Sequence, residues 1–235
     1  MRVAIMQPYF FPYIGYFSLL QAADMFVILD TVQFQRKSWM MRNKIITSKG
    51  SDSTYIKLPV KKAPLNTLIN QIVINNEVDW KTALFNQLLV YKKAPFYNET
   101  INLVNSILYE DTKKLVDVNK NILLGISNYL GLDCEIVVFS EMNITVEEIN
   151  SADEWALNIS KALNATEYIN PPGGVSFFNK EKYKDNNIEL KFIKNKLKQY
   201  NQFHFNFIPG LSIIDVMMFN SIEEIHKMLA DYDVI

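Results

Sequence analysis

Residues 2–30 read RVAIMQPYFFPYIGYFSLLQAADMFVILD, and this stretch decides the fold class. A short apolar run at residues 3–6 leads into an aromatic loop bounded by prolines. A helix is predicted from Tyr13 to Ala22, and a second apolar run covers residues 25–29. The order strand, loop, helix, strand is that of a βα unit, which builds a parallel sheet. The sequence therefore predicts an α/β fold.

Polar residues follow both predicted strands of this unit. Gln7 comes directly after the first strand and Asp30 directly after the second. Parallel sheets bind ligands at the edge formed by the carboxyl ends of their strands, so we expect both residues at a binding site. A carboxylate at the end of an apolar strand is also a candidate general base. The alternative for Asp30 is a cap, or an ion pair with Arg42 or Lys44.

The segment after Asp30 carries side chains able to grip a small polar ligand. They are Gln33, Trp39, Arg42 and Asn43. Arg42 is one of three arginines in the chain, and a guanidinium group suits a phosphate or a carboxylate. A structural ion pair is the alternative for Arg42.

Residues 40–60 are predicted to form a β-hairpin with its turn at 49–52. Apolar and polar residues alternate from Ile56 to Lys61, which is typical of a strand with one wet face. Residues 77–131 then change to a helical pattern. Apolar residues recur at helical spacing from Leu115 to Leu130 and end at Gly131. We expect a helical insertion here, where two subunits of a homodimer would meet, within a single domain over 1–235.

The alternation of strand and helix resumes after this insertion. Strands are predicted at 135–139, 167–169 and 189–193, and helices at 151–163, 212–219 and 222–232. Five strands in βα order plus the hairpin predict an α/β sheet with an added hairpin and a helical insertion.

Three features of the second half are candidate ligand contacts. Gly173 and Gly174 follow a strand, where backbone amides of a tight loop bind anions. His204 is a candidate general base. Ser212 opens a helix after a Pro-Gly pair, which suits an anion, while Ser212 with Asp215 also forms a capping-box pattern.

Composition excludes several classes of function. The formal net charge of −1 gives no electrostatic case for nucleic acid or an anionic membrane. One cysteine, Cys134, excludes an intrachain disulfide framework, and with only two histidines no metal site is predicted. No signal peptide or membrane-spanning run is visible. We expect a cytoplasmic protein without a cofactor.

The motif Tyr13-Ile14-Gly15-Tyr16 resembles one of the nucleotidylyltransferase and class I synthetase-like superfamily, the HUP-like fold. A His-x-Gly-His motif occupies this place in that superfamily. Here the glycine and the spacing are kept and both histidines are tyrosine. The resemblance implies that Gly15 seats a base or a phosphate, without activation of the phosphate by imidazole.

A set of motifs extends over nearly the whole chain. They are Gln7-Pro8 with Phe11-Pro12, Gly15-Tyr16-Phe17, Ala23-Asp24, Asp30 through Gln33-Phe34, Trp39 to Asn43, Tyr91 to Tyr97, Tyr168-Ile169 with Gly173-Gly174, and Leu211 to Asp215. Together these motifs resemble the WbqC-like family, whose members are similar to the products of genes in bacterial O-antigen and other surface-polysaccharide clusters. The resemblance implies transfer of glycine, or a related acyl group, onto an amino sugar.

Residues and resemblance together predict an enzyme that forms an amide on a nucleotide-linked amino sugar. Asp30 or His204 would take the proton, and the acyl donor would be a thioester or an aminoacyl-tRNA. The alternatives are an ATP-dependent enzyme of the nucleotidylyltransferase type and a non-catalytic protein that binds a sugar nucleotide. The residues predicted to contact substrate are Gln7, Gly15, Gln33, Arg42, Asn43, Gly173, Gly174 and Ser212.

Overall fold

The structure is a computed structural model that describes residues 1–47, 52–203 and 206–235. Its strands are β1 (Arg2–Met6), β2 (Met25–Ile28), β3 (Arg42–Ile46), β4 (Ser53–Lys57), β5 (Glu135–Val138), β6 (Glu167–Asn170), β7 (Glu189–Asn195) and β8 (Tyr232–Val234). Its helices are α1 (Ile14–Ala22), α2 (Trp80–Leu88), α3 (Tyr97–Ile107), α4 (Leu115–Leu130), α5 (Glu154–Ala162), α6 (Lys180–Asp185), α7 (Ile213–Phe219) and α8 (Ile222–Ala230).

The main sheet has six strands in the order β5-β2-β1-β6-β7-β8. Every neighbouring pair is parallel except β7 and β8, which are antiparallel. Helices flank this sheet. The predicted α/β class, of HUP-like architecture with an added hairpin, is confirmed.

Two elements differ from the sequence prediction. The last helix ends at Ala230 rather than at Tyr232, and the chain then forms β8. A strand of three residues has too few positions for a period to be visible, and it exists because it pairs with β7 from Asn195 to Ile193. The short helix α6 was also missed, since six residues carry little periodicity.

The added hairpin pairs β3 with β4 in antiparallel register, with Arg42 opposite Lys57. The predicted turn at 49–52 falls largely on residues 48–51, outside the described residues. The face of the hairpin that carries Asn43, Ile45 and Ile56 is buried, and the other face carries charged side chains. Ile46, on that second face, is also buried, and its backbone nitrogen donates a hydrogen bond to the hydroxyl group of Tyr91.

Three helices, α2, α3 and α4, occupy the segment between the hairpin and β5. Helix α4 spans the residues that its periodicity predicted and ends at Gly131, which has a φ of 65°. A left-handed residue at this position closes the last turn of a helix, and glycine adopts it without a steric penalty.

The sheet is buried on both faces. In β1, Val3 and Ile5 face one core that is closed by α5 and α6, while Ala4 faces a second, larger core that contains α1. Successive side chains of a strand point to opposite faces, so a nearly continuous apolar run is what a doubly covered strand requires. This layering leaves the strand ends as the place for polar chemistry.

Candidate active site

The strand order of the sheet changes direction between β1 and β6. Strands β2 and β5 lie on one side of β1, and β6 and β7 lie on the other. At such a switch point the loops after the two central strands leave in opposite directions and open a crevice at the carboxyl edge. Gln7 follows β1, and Asn170 is the last residue of β6.

A cavity of about 530 Å³ lies at this switch point; we call it the first cavity. Its polar side chains are amides and phenols, and in the described part of the chain no charged side chain lines it. The amides are those of Gln7, Gln33, Gln35 and Asn170, and the aromatic side chains are those of Tyr9, Trp155, Tyr168, Phe177 and Phe178.

The backbone of Gln7 is fixed by a hydrogen bond, while its side-chain amide group remains available to bind a ligand. The hydroxyl group of Tyr16, on α1, donates a 2.7 Å hydrogen bond to the carbonyl oxygen of Gln7. Burial raises the pKa of Tyr16 well above its ordinary value, so this phenol stays a donor. Among the described residues the Gln7 amide group has no hydrogen-bond partner. Gln7 can therefore donate to, or accept from, a ligand.

The opposite wall is formed by the end of β6 and the loop that follows. The amide nitrogen of Asn170 donates a 2.5 Å hydrogen bond to the hydroxyl oxygen of Tyr168, whose pKa is raised by burial. Gly173 and Gly174 line the cavity within a single turn of 3₁₀ helix. A Cβ atom on Gly174 would lie 2.4 Å from Oδ1 of Asn170, whereas one on Gly173 would meet nothing within 4 Å. Gly174 thus allows the loop to close over Asn170.

Asp30 lies at the carboxyl edge, since Ile28 of β2 pairs with Met6 of β1, but it does not line the first cavity. Its side chain is fully buried. The backbone nitrogen of Ser140 donates to one carboxylate oxygen at 3.0 Å, and the Ser140 hydroxyl donates to the other at 2.5 Å. Asp30 therefore ties the end of β2 to the turn after β5. This geometry favours a structural role over the predicted role of general base.

We expect Asp30→Ala to lower the free energy of unfolding by about 2–4 kcal/mol, because two hydrogen bonds to a buried carboxylate are lost. Ser140→Ala should cost less, since the backbone nitrogen still donates to Asp30. Chemical denaturation of both variants checks this. In the folded Asp30→Asn variant, a turnover that falls 100-fold or more without loss of stability would return the role of base to Asp30.

Asn43 and Ser212 hold the loop that carries the site. Phe11 is buried with a φ of 41°, a left-handed conformation that is uncommon for an aromatic residue. Its carbonyl oxygen accepts hydrogen bonds from the Asn43 amide at 2.7 Å and from the Ser212 hydroxyl at 2.8 Å. Both side chains are buried and form these hydrogen bonds with the backbone. These bonds give both residues a role in shaping the loop between Gln7 and Tyr13, and their contact with a substrate stays a prediction.

Two further predicted contacts lie away from the first cavity. Arg42 does not line it, and its guanidinium group lies 4.5 Å from the ring centroid of Tyr55. Gly15 lies within α1, where a Cβ atom would come within 2.4 Å of the Tyr13 ring. The Tyr13 ring fills the space beside Gly15, and this packing explains the glycine without a ligand.

Of the remaining predicted residues, Gln33 lines the first cavity, and its amide nitrogen donates to the carbonyl oxygen of Leu65 at 2.6 Å. His204 lies outside the described residues, so its role as a base stays a prediction. Burial raises the pKa of the Cys134 thiol to about 12, which leaves it no nucleophilic thiolate near neutral pH.

The structure adds Asn170, Trp155, Phe177 and Phe178 to the candidate site. Asn170 carried the same signal as Gln7, a polar residue at the end of a predicted strand. The aromatic residues carried none, because Trp155 belongs to an amphipathic helix and reads as core. Only the packing of α5 against the sheet brings it to the cavity.

No group of three His, Cys, Asp or Glu side chains within the described ranges is arranged to hold a metal ion. Over the same ranges, no helix is both long enough and apolar enough to cross a membrane.

The fold and the cavity at its switch point define an α/β protein of the HUP-like class with an added antiparallel hairpin. The chain belongs to the WbqC-like protein family, whose sequence profile matches residues 7–227. It is 28% identical over 220 residues to the uncharacterized protein Rv1507c of Mycobacterium tuberculosis (strain ATCC 25618 / H37Rv), with 92% of each chain covered. No solved structure matches the chain. The predicted family is confirmed, and membership gives weak support for a biosynthetic enzyme.

Proposed function

We propose that the protein is a transferase that forms an amide on the amino group of a nucleotide-linked sugar, in the biosynthesis of O-antigen or another surface polysaccharide. The observation that carries the proposal is the uncharged first cavity, walled by amide and aromatic side chains. Amides supply both donors and acceptors, as sugar hydroxyl groups require, and aromatic rings cover the less polar faces of a ligand. The sugar and its amino group would occupy this cavity.

The proposed reaction needs an acyl or aminoacyl donor that is already activated. The amine attacks the carbonyl carbon and the new C–N bond forms, while the C–S bond of a thioester or the C–O bond of an aminoacyl-tRNA ester breaks. The amine proton ends on the leaving sulfur or oxygen. Gln7 would donate its amide hydrogen to the carbonyl oxygen as negative charge develops there.

The lining of the first cavity bears on how that proton moves. No carboxylate or imidazole of the described residues lines it. The proton would pass to the leaving group through water, or through His204, whose position lies outside the described residues. Among the described residues no lysine or arginine lines the first cavity, so the ATP-dependent alternative, in which cations neutralise the transferring phosphate, would need cations from outside this lining.

We expect Gln7→Leu to lower turnover about 100-fold, because a donor to the developing oxyanion is lost. Its stability should stay close to that of the parent, since the amide group of Gln7 has no partner among the described residues. The assay follows amide formation by mass spectrometry, using uridine and thymidine diphosphate amino sugars with acyl thioesters or glycyl-tRNA. Gln21→Leu is the matched control, because Gln21 is exposed on α1 and does not line the first cavity. Equal turnover of the two variants would show that Gln7 takes no part in the reaction.

A second candidate is a non-catalytic protein that binds a sugar nucleotide. The uncharged lining favours it, since it offers no described group for acid–base catalysis. Saturable binding of an amino-sugar nucleotide, with no product across the panel of donors, would decide for this candidate.

A further inference from the structure

A second cavity of about 300 Å³ lies beside the first. It is lined by Tyr9, Tyr13, Trp39, Asn43, Leu197 and Gly210, and Tyr9 also lines the first cavity. Three of these six residues are aromatic. The Trp39 side chain is 40% exposed, so part of its ring is accessible to a ligand in this cavity. A planar ring can stack on such a surface.

Cationic side chains surround Tyr55, which neighbours this second cavity. The rings of Trp39 and Tyr55 are 6.3 Å apart between centroids. The Tyr55 ring lies 4.5 Å from the Arg42 guanidinium carbon and 5.5 Å from the Lys44 ammonium nitrogen. Lys57 is directly opposite Arg42 in the hairpin register. We call Arg42, Lys44 and Lys57 the cationic face.

The cationic face lacks counter-ions. None of its three side chains forms an ion pair with a carboxylate of the described residues. Like charges directly opposite in an antiparallel pair are destabilising. Arg42 adds a buried Nε without a hydrogen-bond partner among the residues described. In a chain of net charge −1, this arrangement leaves three positive charges that no described carboxylate neutralises and that an anion can contact.

We propose that the second cavity and the cationic face together bind a nucleotide. Its base stacks in the aromatic cavity, and its phosphate groups contact Arg42 and Lys44. Guanidinium and ammonium groups are the side chains that recognise phosphate, and aromatic rings accept any base. The inference adds a second binding site to the proposed function. If this second site is disproved, the proposed function of the first cavity still stands.

The three tryptophans make the two cavities distinguishable. Trp155 lines the first cavity, Trp39 lines the second, and Trp80 is buried outside both. In the Trp155→Phe protein, stacking of a base should change the fluorescence of Trp39. In the Trp39→Phe protein, only occupation of the first cavity should change the signal.

The test titrates both proteins with uridine and adenosine diphosphates. We expect saturable quenching in Trp155→Phe, competition by pyrophosphate, and weaker binding at higher ionic strength. Adding R42Q and K44Q should weaken binding at least tenfold, since two charge-assisted contacts are lost. The K92Q/K93Q variant removes the same charge from exposed lysines that line neither cavity, and it should bind like the parent.

Two results would overturn the inference: no quenching in Trp155→Phe, or equal affinities of the R42Q/K44Q and K92Q/K93Q variants. Should R42Q/K44Q fail to fold, K44Q/K57Q keeps Arg42 on Tyr55 and should still weaken binding. The source of the nucleotide is decided by two ligands. A uridine diphosphate amino sugar that spans both cavities changes both signals, whereas coenzyme A as the carrier of a thioester donor changes that of Trp39 alone. A signal from Trp155 alone would leave the proposed function standing and the second site excluded.

Discussion

Gly174→Ala is expected to weaken binding of ligands in the first cavity by about 10–100-fold. Its Cβ atom would lie 2.4 Å from Oδ1 of Asn170 and 2.9 Å from the Phe178 ring, so one of them has to move. Asn170 is buried and bonded to Tyr168, and the Phe178 ring packs against the Tyr168 ring at 5.5 Å. Overpacking of this kind costs about 1–3 kcal/mol, which is about one to two powers of ten in affinity.

The neighbouring glycine gives the control for this experiment. A Cβ atom on Gly173 would meet nothing within 4 Å, so Gly173→Ala should keep the stability of the parent and leave the positions of Asn170 and Phe178 unchanged. Both glycines line the first cavity in the same turn, so the two variants differ only in the contacts of one methyl group. Isothermal titration with an amino-sugar nucleotide measures the difference. Equal affinities would place the ligand away from the wall that Asn170 forms.

Asp215→Ala is expected to lower the free energy of unfolding by about 3–5 kcal/mol, because the variant leaves three buried donors without an acceptor. Asp215 is fully buried on α7. Its carboxylate accepts hydrogen bonds from the hydroxyl groups of Tyr91 at 2.6 Å and Tyr200 at 2.5 Å, and from the Gln202 amide at 2.7 Å. Tyr91 also accepts from the backbone of Ile46 in β3. One carboxylate thus joins α7 to the hairpin and to the segment near residue 200.

Glu223→Ala is the control for a carboxylate on the next helix. Glu223 pairs with Lys227 at the surface, where its side chain is 80% exposed and solvent screens the pair, so Glu223→Ala should leave the stability nearly unchanged. Denaturation with urea compares the two variants. A loss below 1 kcal/mol for Asp215→Ala would mean that the three donors find other acceptors.

The stability that Asp215 contributes should also depend on pH. Burial raises its pKa above the ordinary value of 3.8, against the opposing effect of the hydrogen bonds from Tyr200, Tyr91 and Gln202. A raised pKa means that the fold tolerates the protonated form better. The additional stability that comes from protonation of Asp215 is therefore fully present below pH 3.8 and is lost as the pH rises through the raised pKa, while the three hydrogen bonds to the carboxylate remain. The stability of the parent relative to Asp215→Asn should increase as the pH falls, and a constant difference would contradict this.

The helix that begins at Ser212 illustrates what a local pattern predicts well. The Ser212 side chain accepts from the backbone nitrogen of Ile214, so the predicted start of the helix is confirmed. The capping-box reading of Asp215 is wrong, because its carboxylate is bonded to Tyr91, Tyr200 and Gln202 instead. Those partners lie up to 124 positions away in the chain, a distance at which no local pattern carries information.

The residues of the candidate site also differ in how well their local sequence predicted their position. Gln7, Gly173 and Gly174 were predicted from their positions after strands, and they line the first cavity. Asp30 had the same positional signal, yet its carboxylate faces Ser140. The end of a strand restricts a residue to one edge of the sheet, but the direction of its side chain depends on which loop packs beside it.

The order of strands and helices, the parallel sheet and the edge of the sheet at which Gln7, Gly173 and Gly174 lie were predicted from the sequence alone. These follow from apolar periodicity and from strand ends, which are local properties of the chain. Tertiary packing decides which polar side chains face a cavity and which form hydrogen bonds with the backbone. Asn43 and Ser212 are of the second kind, since both donate to the carbonyl oxygen of Phe11. The physical reason is that hydrogen bonds and ring contacts act over a few ångströms, and folding brings together residues that the sequence separates by 32 and 201 positions.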